Sequence, residues 1–431
     1  MRDTRRGNVP AVSNALIESG TCRTLMNIPT DRMALKALFS GDNRLVTTLG
    51  YYAAFIILGM VGASIGPFLP KLAEQTGSSL SAISVIFIAR SSGFLCSALF
   101  GGRLFDRVSG HLLLAGVMAG IALMFVAMPF IPVLWLLTAA MLFLGIAVGL
   151  LDVGGNTLIV WVHRRGVAPF MNGLHFFFGF GAFLSPLLIA WTMGRSGRIL
   201  EFCWILAVLI IPVAAWLMTL PNPQPEHVSE HAQRHGKQPY GLLCLAVLFF
   251  FLYDGAEISF GNWIFTYTVL QKLGDQTQAA YLTSAFWGAY TFGRLLSIPC
   301  AVRIPPLKML VGCLTGGLIS LSIIVFQPQA LPALIVGTCG TGLAMSAVFP
   351  TMLSFIGRRV RITGQITGWF FVGASLGSMV VPWIIGQFLE TLGPRIVMIC
   401  ILAAFAGACL VFGGLLLYFR RHSVSSIPES D

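Results

Sequence analysis

Long apolar segments separated by short polar gaps run through most of the sequence. An α-helix needs about 20 apolar residues to cross the roughly 30 Å hydrocarbon core of a bilayer. The segments are too long and too continuously apolar for the short alternating strands of a membrane barrel, so they predict helices. Twelve segments are long enough to span a bilayer: 46–70, 80–101, 111–130, 133–160, 169–194, 198–220, 240–270, 279–302, 307–327, 331–356, 363–389 and 395–419.

One long polar stretch, PNPQPEHVSEHAQRHGKQP, divides these segments into six and six. It predicts a linker between two six-helix bundles. Its three histidines have the four-residue spacing of a metal site on one helical face, but the prolines around them favour a solvated loop, so no metal site is predicted. The expected organisation is an N-terminal tail at 1–45, a bundle at 46–220, the linker at 221–239, a bundle at 240–419 and a C-terminal tail at 420–431.

The two predicted bundles resemble each other in sequence. The stretch GFLCSALFGGR at 93–103 aligns without gaps on GRLLSIPCAVR at 293–303, and GLHFFFG in the fifth segment recurs as GWFFVG in the eleventh. Each match is short, but they occur in the same order in both halves. This pattern is typical of the internal repeats of transporters.

The few charged residues restrict the environment and orientation of the chain. It is 56% hydrophobic and only 10% charged, which predicts a lipid bilayer as its surroundings. The net charge of +11 does not indicate nucleic-acid binding, because the 27 Lys and Arg are spread over short gaps. Placing both termini in the cytoplasm puts twenty of these residues inside and five outside, as the positive-inside rule requires.

A charged turn, GRLFDRVSGH, follows the second segment. Its Gly102, Asp106, Arg107 and Gly110, together with the six-plus-six arrangement, resemble the major facilitator superfamily. The resemblance implies an all-α integral membrane fold of twelve helices in two six-helix bundles that rock about a central site. It also implies that this turn is a gating loop, in which Asp106 and Arg107 pair across helix ends and hold the inner gate closed.

Longer stretches narrow the resemblance to one branch of that family. GLLDVGGNTLIVWV, PFMNGLHFFFGFGAFLSP, YDGAEISFGNWIFTY and GQITGWFFVGASLGSMVVPW resemble fucose permeases and sodium-dependent glucose transporters. The resemblance implies uptake of a monosaccharide or similar small polar solute, coupled to H⁺ or Na⁺ with no other cofactor, by a monomer in the plasma (inner) membrane. Gly66 stands where fucose permeases have an acid, so the coupling ion stays open.

Five ionisable side chains fall well inside the predicted helices. Each charge costs about 2.5–3.5 kcal/mol at the bilayer centre, so each needs a partner or a hydrated cavity. Asp152, Asp254 and Glu257 are the predicted ion-coupling carboxylates, and Arg90 and Arg294 are the predicted structural charge partners. Arg294 is assigned to Glu257. A structural pair of Asp152 with Arg90 is the alternative to ion coupling.

Polar and aromatic side chains near these acids suit a sugar, whose hydroxyls form hydrogen bonds and whose ring face packs on aromatic rings. The predicted substrate-binding residues are Asn156, His175, Asn262, Trp263 and Tyr267. For Trp263 the alternative is packing or interfacial anchoring. For His175 it is a hydrogen-bonded position in the core.

Other functional classes have less support in the sequence. No GxxxxGK[ST] phosphate loop or HExxH metalloprotease motif is present, and no soluble domain is predicted, so the chain is not expected to be an enzyme or an ATP-driven pump. The leading hypothesis is a secondary transporter that takes up a sugar. A proton-antiporting exporter of drugs or sugars would use the same acids, and a non-transporting membrane sensor is the third alternative.

Overall fold

The computed structural model describes residues 44–223, 240–359 and 364–421. Nearly all of the predicted tails and most of the predicted linker, including its histidines, lie outside these ranges. Regular structure within them is helical throughout. The helices are α1 (Arg44–Thr76), α2 (Leu80–Ile83), α3 (Val85–Phe105), α4 (Gly110–Ala127), α5 (Leu134–His163), α6 (Ala168–Ser196), α7 (Leu200–Thr219), α8 (Tyr240–Leu270), α9 (Gln276–Arg303), α10 (Pro306–Phe326), α11 (Leu331–Met345), α12 (Val348–Gly357), α13 (Gly364–Leu392) and α14 (Arg395–Arg421).

These helices correspond to the twelve predicted segments once α2 is joined to α3 and α11 to α12. Among the described residues, eleven segments are long and apolar enough to cross a membrane. The segment formed by α9 is less apolar because it contains Arg294 and several amide and hydroxyl side chains. It has 28 residues, or about 42 Å of helix, which is enough to cross a bilayer. The predicted all-α membrane fold is confirmed.

The tenth segment is interrupted, whereas the sequence predicts one continuous helix over 331–356. Helix α11 ends at Met345 and α12 begins at Val348. Pro350 explains the interruption, because it has no N–H to donate to the Ser346 carbonyl and its ring crowds that carbonyl. The backbone carbonyls next to the break are therefore available to side chains of neighbouring helices.

The internal repeat is visible in the helix packing. In the first half, α6 lies so close to α1 that a Cβ at Gly181 would come within 2.7 Å of the Ile56 carbonyl carbon. In the second half, α13 lies equally close to α8, where a Cβ at Gly377 would come within 2.7 Å of the Phe251 carbonyl carbon. Small residues thus bring the paired helices into close contact in both halves.

The long helices alternate in direction, so the bundle has two ends. The start of α1 and the end of α14 lie at one end, which we call the terminal end. The turns at 77–79 and 393–394 lie at the other, which we call the far end. We refer to α1–α7 as the N half and α8–α14 as the C half.

The two halves are hydrogen-bonded to each other at the far end. Gln387 of α13 accepts a hydrogen bond from Ser81 Oγ at 3.0 Å, and its Nε2 donates to the Ser81 carbonyl and to Ser84 Oγ, each at 3.0 Å. The backbone N–H of Leu80 donates to Glu390 Oε1 at 2.8 Å. These contacts close the far end.

Candidate transport site

Asp152 and Asn156 lie on one face of α5, as their spacing of four residues predicts. Both side chains are partly exposed. Asn156 Nδ2 donates to Asp152 Oδ1 at 3.2 Å and to the Asp152 carbonyl at 2.9 Å. The amide therefore holds the carboxylate in one orientation and leaves its second oxygen available to an ion or to water.

Glycines around Asp152 bring neighbouring helices close to it. A Cβ at Gly149 would lie 2.7 Å from Ser97 Cβ of α3, and one at Gly155 would collide with the Phe55 ring of α1. Small residues allow this approach where helices pack inside a bilayer. Asp152 is thus held between helices of its own half.

Arg90 does not pair with Asp152, so the structural-pair alternative is wrong in this conformation. Helix α5 passes Arg90 at Gly145, where a Cβ would lie 2.8 Å from the Arg90 carbonyl carbon. Seven residues of helix, or about 10 Å, separate Gly145 from Asp152. Across the described ranges, Arg90 has no ion pair and its Nε has no hydrogen-bond partner. Its predicted role as a charge partner therefore fails here.

Glu257 of α8 lies at the centre of a buried hydrogen-bond network in the C half. Its side chain is 6% exposed. Tyr290 of α9 donates to Glu257 Oε1 at 2.8 Å, and the hydroxyl of Tyr253 is hydrogen-bonded to Glu257 Oε2. Tyr253 also donates to the Met345 carbonyl at 2.5 Å, at the interruption between α11 and α12. Glu257 is thereby linked to three helical segments.

Arg294 reaches Glu257 through Tyr290 and does not form a direct ion pair with it. Its Nη2 donates to the Tyr290 hydroxyl at 2.7 Å, and its guanidinium carbon lies 4.8 Å from the Tyr290 ring centroid. Within the described residues, the ion pair with a nitrogen–oxygen distance below 4 Å is Lys71–Glu74, and Arg294 forms none. Arg294 is therefore connected to Glu257, its predicted partner, through the hydroxyl of a tyrosine.

Asp254 and His175 extend this charged cluster. Asp254 interacts electrostatically with Glu257 and Arg294. His175 of α6 is partly exposed, lies edge-on to the Phe55 ring at 6.3 Å, and interacts electrostatically with Arg294. Because His175 belongs to the N half and Arg294 to the C half, the cluster spans the two halves.

Three residues predicted to bind substrate lie instead in the closed part of the bundle. Trp263 and Tyr267 are 0% and 1% exposed, and Asn262 is 7% exposed. Trp263 Nε1 donates to the Pro382 carbonyl at 3.1 Å, and its ring packs against Phe87 at 5.8 Å. The packing alternative for Trp263 therefore holds in this conformation.

Asn262 lies at a tight contact between the two halves. Its Nδ2 donates to the Ile258 carbonyl at 2.8 Å, and a Cβ at Gly66 would come within 2.6 Å of its backbone oxygen. A side chain at position 66 would not fit against α8 here. A sugar clamp formed by Asn262, Trp263 and Tyr267 is thus closed to substrate in this conformation.

The predicted gating loop lies at the terminal end. Asp106 and Arg107 are exposed, and within the described ranges neither forms an ion pair. Gly102 lies in the last turn of α3, and its carbonyl oxygen accepts from the Asp106 N–H at 3.2 Å. Gly110 is buried against Leu158. The pairing across helix ends that the resemblance implies is therefore absent from this conformation.

The network around Glu257 contains three groups that were not predicted from the sequence, namely Tyr253, Tyr290 and the carbonyl of Met345. Tyr253 lies four residues before Glu257, and Tyr290 lies four residues before Arg294. That spacing puts each pair on one helical face, so it could have identified both tyrosines. The residues around Met345 show no comparable pattern.

A separate apolar groove of about 340 Å³ lies on the seam between α6 and α9. It is lined by Phe176, Phe180, Phe183, Gly288, Thr291, Phe292 and Leu295. An almost wholly apolar lining does not suit a polar solute. The acids and the amide described above are therefore the better candidate for a transport site.

The fold and the site together define a polytopic membrane transporter, with two similar helical halves and carboxyl groups in each. The chain belongs to the Major Facilitator Superfamily, whose family model matches residues 51–382 and 248–430. It is a transporter of that family and not an enzyme.

Two kinds of relative are similar along most of their length. Sodium-dependent glucose transporter 1A of Mus musculus is 33% identical, over 78% of this chain and 88% of its own. Sodium-dependent glucose transporter 1 of Homo sapiens is 31% identical, over 78% and 72%. Major facilitator superfamily domain-containing protein 4A of Homo sapiens is 26% identical, over 89% and 94%. The predicted resemblance to the sodium-dependent glucose transporters is confirmed.

Solved structures support the fold alone. The nucleoside transporter NupG superimposes with a TM-score of 0.68 at 14% identity, over 86% of this chain and 100% of NupG. A bacterial homolog of the human lysosomal transporter Spinster, in an inward-facing and unoccupied conformation, gives a TM-score of 0.69 at 12% identity, over 90% and 100%.

Proposed function

We propose that this chain takes up a monosaccharide or a similar small polar solute by alternating access, driven by a gradient of H⁺ or Na⁺. The observation that carries the proposal is the pair of polar centres in the two halves, Asp152 with Asn156 in one and Glu257 with Asp254 in the other. Carboxyl groups inside a membrane protein are costly, and where they occur they typically mark the path of an ion or a substrate. Relatives named as sodium-dependent glucose transporters support the same substrate class.

In this mechanism the coupling ion binds at Asp152, and Asn156 holds the carboxylate ready for it. Asn156 and His175 offer hydrogen bonds to sugar hydroxyls from the N half. In this proposal the closed far end corresponds to the outer side of the membrane. Opening the far end breaks the Gln387 contacts and exposes Asn262, Trp263 and Tyr267 to an arriving sugar.

The proposed setting is the plasma (inner) membrane, with a monomer as the working unit and both termini in the cytoplasm. The predicted excess of Lys and Arg at the terminal end supports this orientation. The domain boundaries at 46–220 and 240–419 correspond in this proposal to the two moving bodies.

Uptake by proteoliposomes tests the proposal. Purified protein is given a panel of labelled monosaccharides under an inward H⁺ gradient, an inward Na⁺ gradient or neither. Accumulation that needs one gradient supports uptake, whereas loss of preloaded sugar against an opposing H⁺ gradient indicates an exporter. Absence of flux for every solute would instead favour a sensor.

Asp152→Asn tests the coupling site within that assay. We expect accumulation to fall to the equilibration level while counterflow exchange continues, because an amide has no negative charge to attract Na⁺ and takes up no H⁺ near neutral pH, but preserves the shape of the site. Glu201→Gln is the matched control, since Glu201 is an exposed carboxylate at the start of α7. Accumulation of normal steepness in Asp152→Asn would remove Asp152 from coupling.

A further inference from the structure

The hydroxyl of Tyr253 lies between two oxygen atoms but has only one hydrogen. Of its two neighbours, the Met345 carbonyl at 2.5 Å can only accept a hydrogen bond. If the Tyr253 hydrogen is used there, the hydrogen bond between Tyr253 and Glu257 Oε2 needs a hydrogen from the carboxyl group. Both hydrogen bonds of the Tyr253 hydroxyl therefore have a hydrogen only when Glu257 is protonated.

The other carboxyl oxygen fits the same assignment. Tyr290 accepts a hydrogen bond from Arg294 Nη2 at 2.7 Å and donates its own hydrogen to Glu257 Oε1 at 2.8 Å. Oε1 is therefore the carbonyl oxygen of the acid and Oε2 carries the proton. The result is one directed chain from Arg294 through Tyr290, Glu257 and Tyr253 to the Met345 carbonyl, in which every hydrogen has one acceptor.

The charges around Glu257 agree with this count. On its own helix it faces Tyr253 and Asp254, and on α9 it faces Tyr290 and Arg294. The segment that contains Met345 presents a neutral carbonyl, and His175 on α6 faces Arg294. The Arg294 guanidinium can balance one carboxylate. If Asp254 is ionised, a negative charge on the buried Glu257 would be uncompensated and costly.

We infer that Glu257 is a proton-binding site whose proton is held by Tyr253, and that this site connects protonation to the interruption between α11 and α12. Loss of the proton makes Oε2 an acceptor, so the Tyr253 hydrogen turns from Met345 to Glu257. The Met345 carbonyl then loses its donor at the break. Tyr253 is a positioning residue in this scheme. The inference deepens the proposed function, on which it rests, by naming H⁺ as the ion that Glu257 takes.

Infrared difference spectroscopy on the reconstituted full chain tests the inference without requiring transport. Spectra are recorded across a rise in pH, in the absence and presence of NaCl. We expect the C=O stretching band of a protonated carboxyl to be present at neutral pH and lost at high pH. The band should be absent from Glu257→Gln and unchanged in Glu201→Gln.

Tyr253→Phe gives a second assignment of the same band. This variant removes the acceptor of the acid proton, so the band should move to higher frequency while the protein stays folded. If Glu257→Gln does not fold, the shift in Tyr253→Phe still decides the assignment. The inference is overturned if the band survives in Glu257→Gln, if it is unshifted in Tyr253→Phe, or if Na⁺ at constant pH removes it.

The spectra separate this inference from the proposed function. A band that behaves as expected, in protein that moves no sugar, would refute the proposed uptake and leave the proton site standing. Gradient-driven sugar uptake by protein that lacks the band would support the proposed function and refute the proton site at Glu257.

Discussion

The contacts of Gln387 allow a quantitative prediction about how the far end opens. Its side chain makes three hydrogen bonds to Ser81 and Ser84, all of them between the two halves and all at 3.0 Å. A hydrogen bond contributes about 0.5–1.5 kcal/mol net, so three give about 1.5–4.5 kcal/mol. Gln387 is partly exposed, and water can replace it, so the lower value applies.

Gln387→Ala should therefore raise the ratio of far-end-open to far-end-closed molecules by about tenfold, because about 1.4 kcal/mol corresponds to that factor. Double electron–electron resonance between spin labels at Glu201 and Thr391 measures this ratio. Both positions are exposed and lie at the far end, one in each half. The fraction of long distances should increase in the variant.

Gln75→Ala is the matched control for this experiment. Gln75 is also a far-end glutamine, and its Nε2 donates to the Met128 and Ile131 carbonyls at 2.9 and 2.7 Å. Those bonds stay within the N half, so their loss should not change the distance between the halves. An unchanged distribution in Gln387→Ala, or an equal change in Gln75→Ala, would refute the assignment of Gln387 to the closure.

Two further variants test the packing. Gly377→Val places a side chain against the Phe251 backbone of α8, and overpacking of this kind costs about 1–3 kcal/mol. The thermal unfolding midpoint of this variant should therefore fall. Gly413→Ala is the control, because Gly413 has open space around it and the midpoint should not change. Tyr51→Phe removes the buried hydrogen bond between the Tyr51 hydroxyl and His111 Nε2 at 2.8 Å and should cost about 1–3 kcal/mol of stability. Its control is Tyr281→Phe, which changes a 53% exposed position and should leave the midpoint unchanged. Equal unfolding midpoints for a variant and its control would contradict the packing described.

The helices could be predicted from the sequence because lipid imposes one requirement on every membrane-spanning segment. Each needs about 20 apolar residues whose backbone groups are satisfied internally, and that requirement is readable without tertiary information. The interruption in the tenth segment was not predicted, although Pro350 is visible in the sequence. Proline inside a membrane helix is compatible with either a kink or a break, and the choice depends on whether neighbouring side chains can pair with carbonyls at the break, as Tyr253 does with Met345.

The candidate site could be predicted only in part, since helical periodicity gives neighbours on the same helix and not across helices. Asp152 with Asn156 is a neighbour pair of that kind, and the structure shows their hydrogen bond. Arg90 and Arg294 were assigned partners by charge alone. Among the described residues Arg90 forms no ion pair and Arg294 reaches Glu257 through Tyr290, because contact depends on how far along its helix each residue lies and on which side chain stands between. Trp263 illustrates the same limit, since burial between two halves depends on which end of the bundle is closed.

Helix α9 contacts both the Glu257 network and the other half of the protein. One face carries Tyr290 and Arg294, which hold Glu257. Another face packs against α6 of the N half, where Ser284 Oγ donates to the Phe183 carbonyl at 2.7 Å and a Cβ at Gly179 would collide with Thr291. A helix packed this closely moves as a unit and does not deform locally. A change at Glu257 that shifts α9 would therefore also shift the contact between the halves, and this is the physical connection that the proposed ion coupling requires.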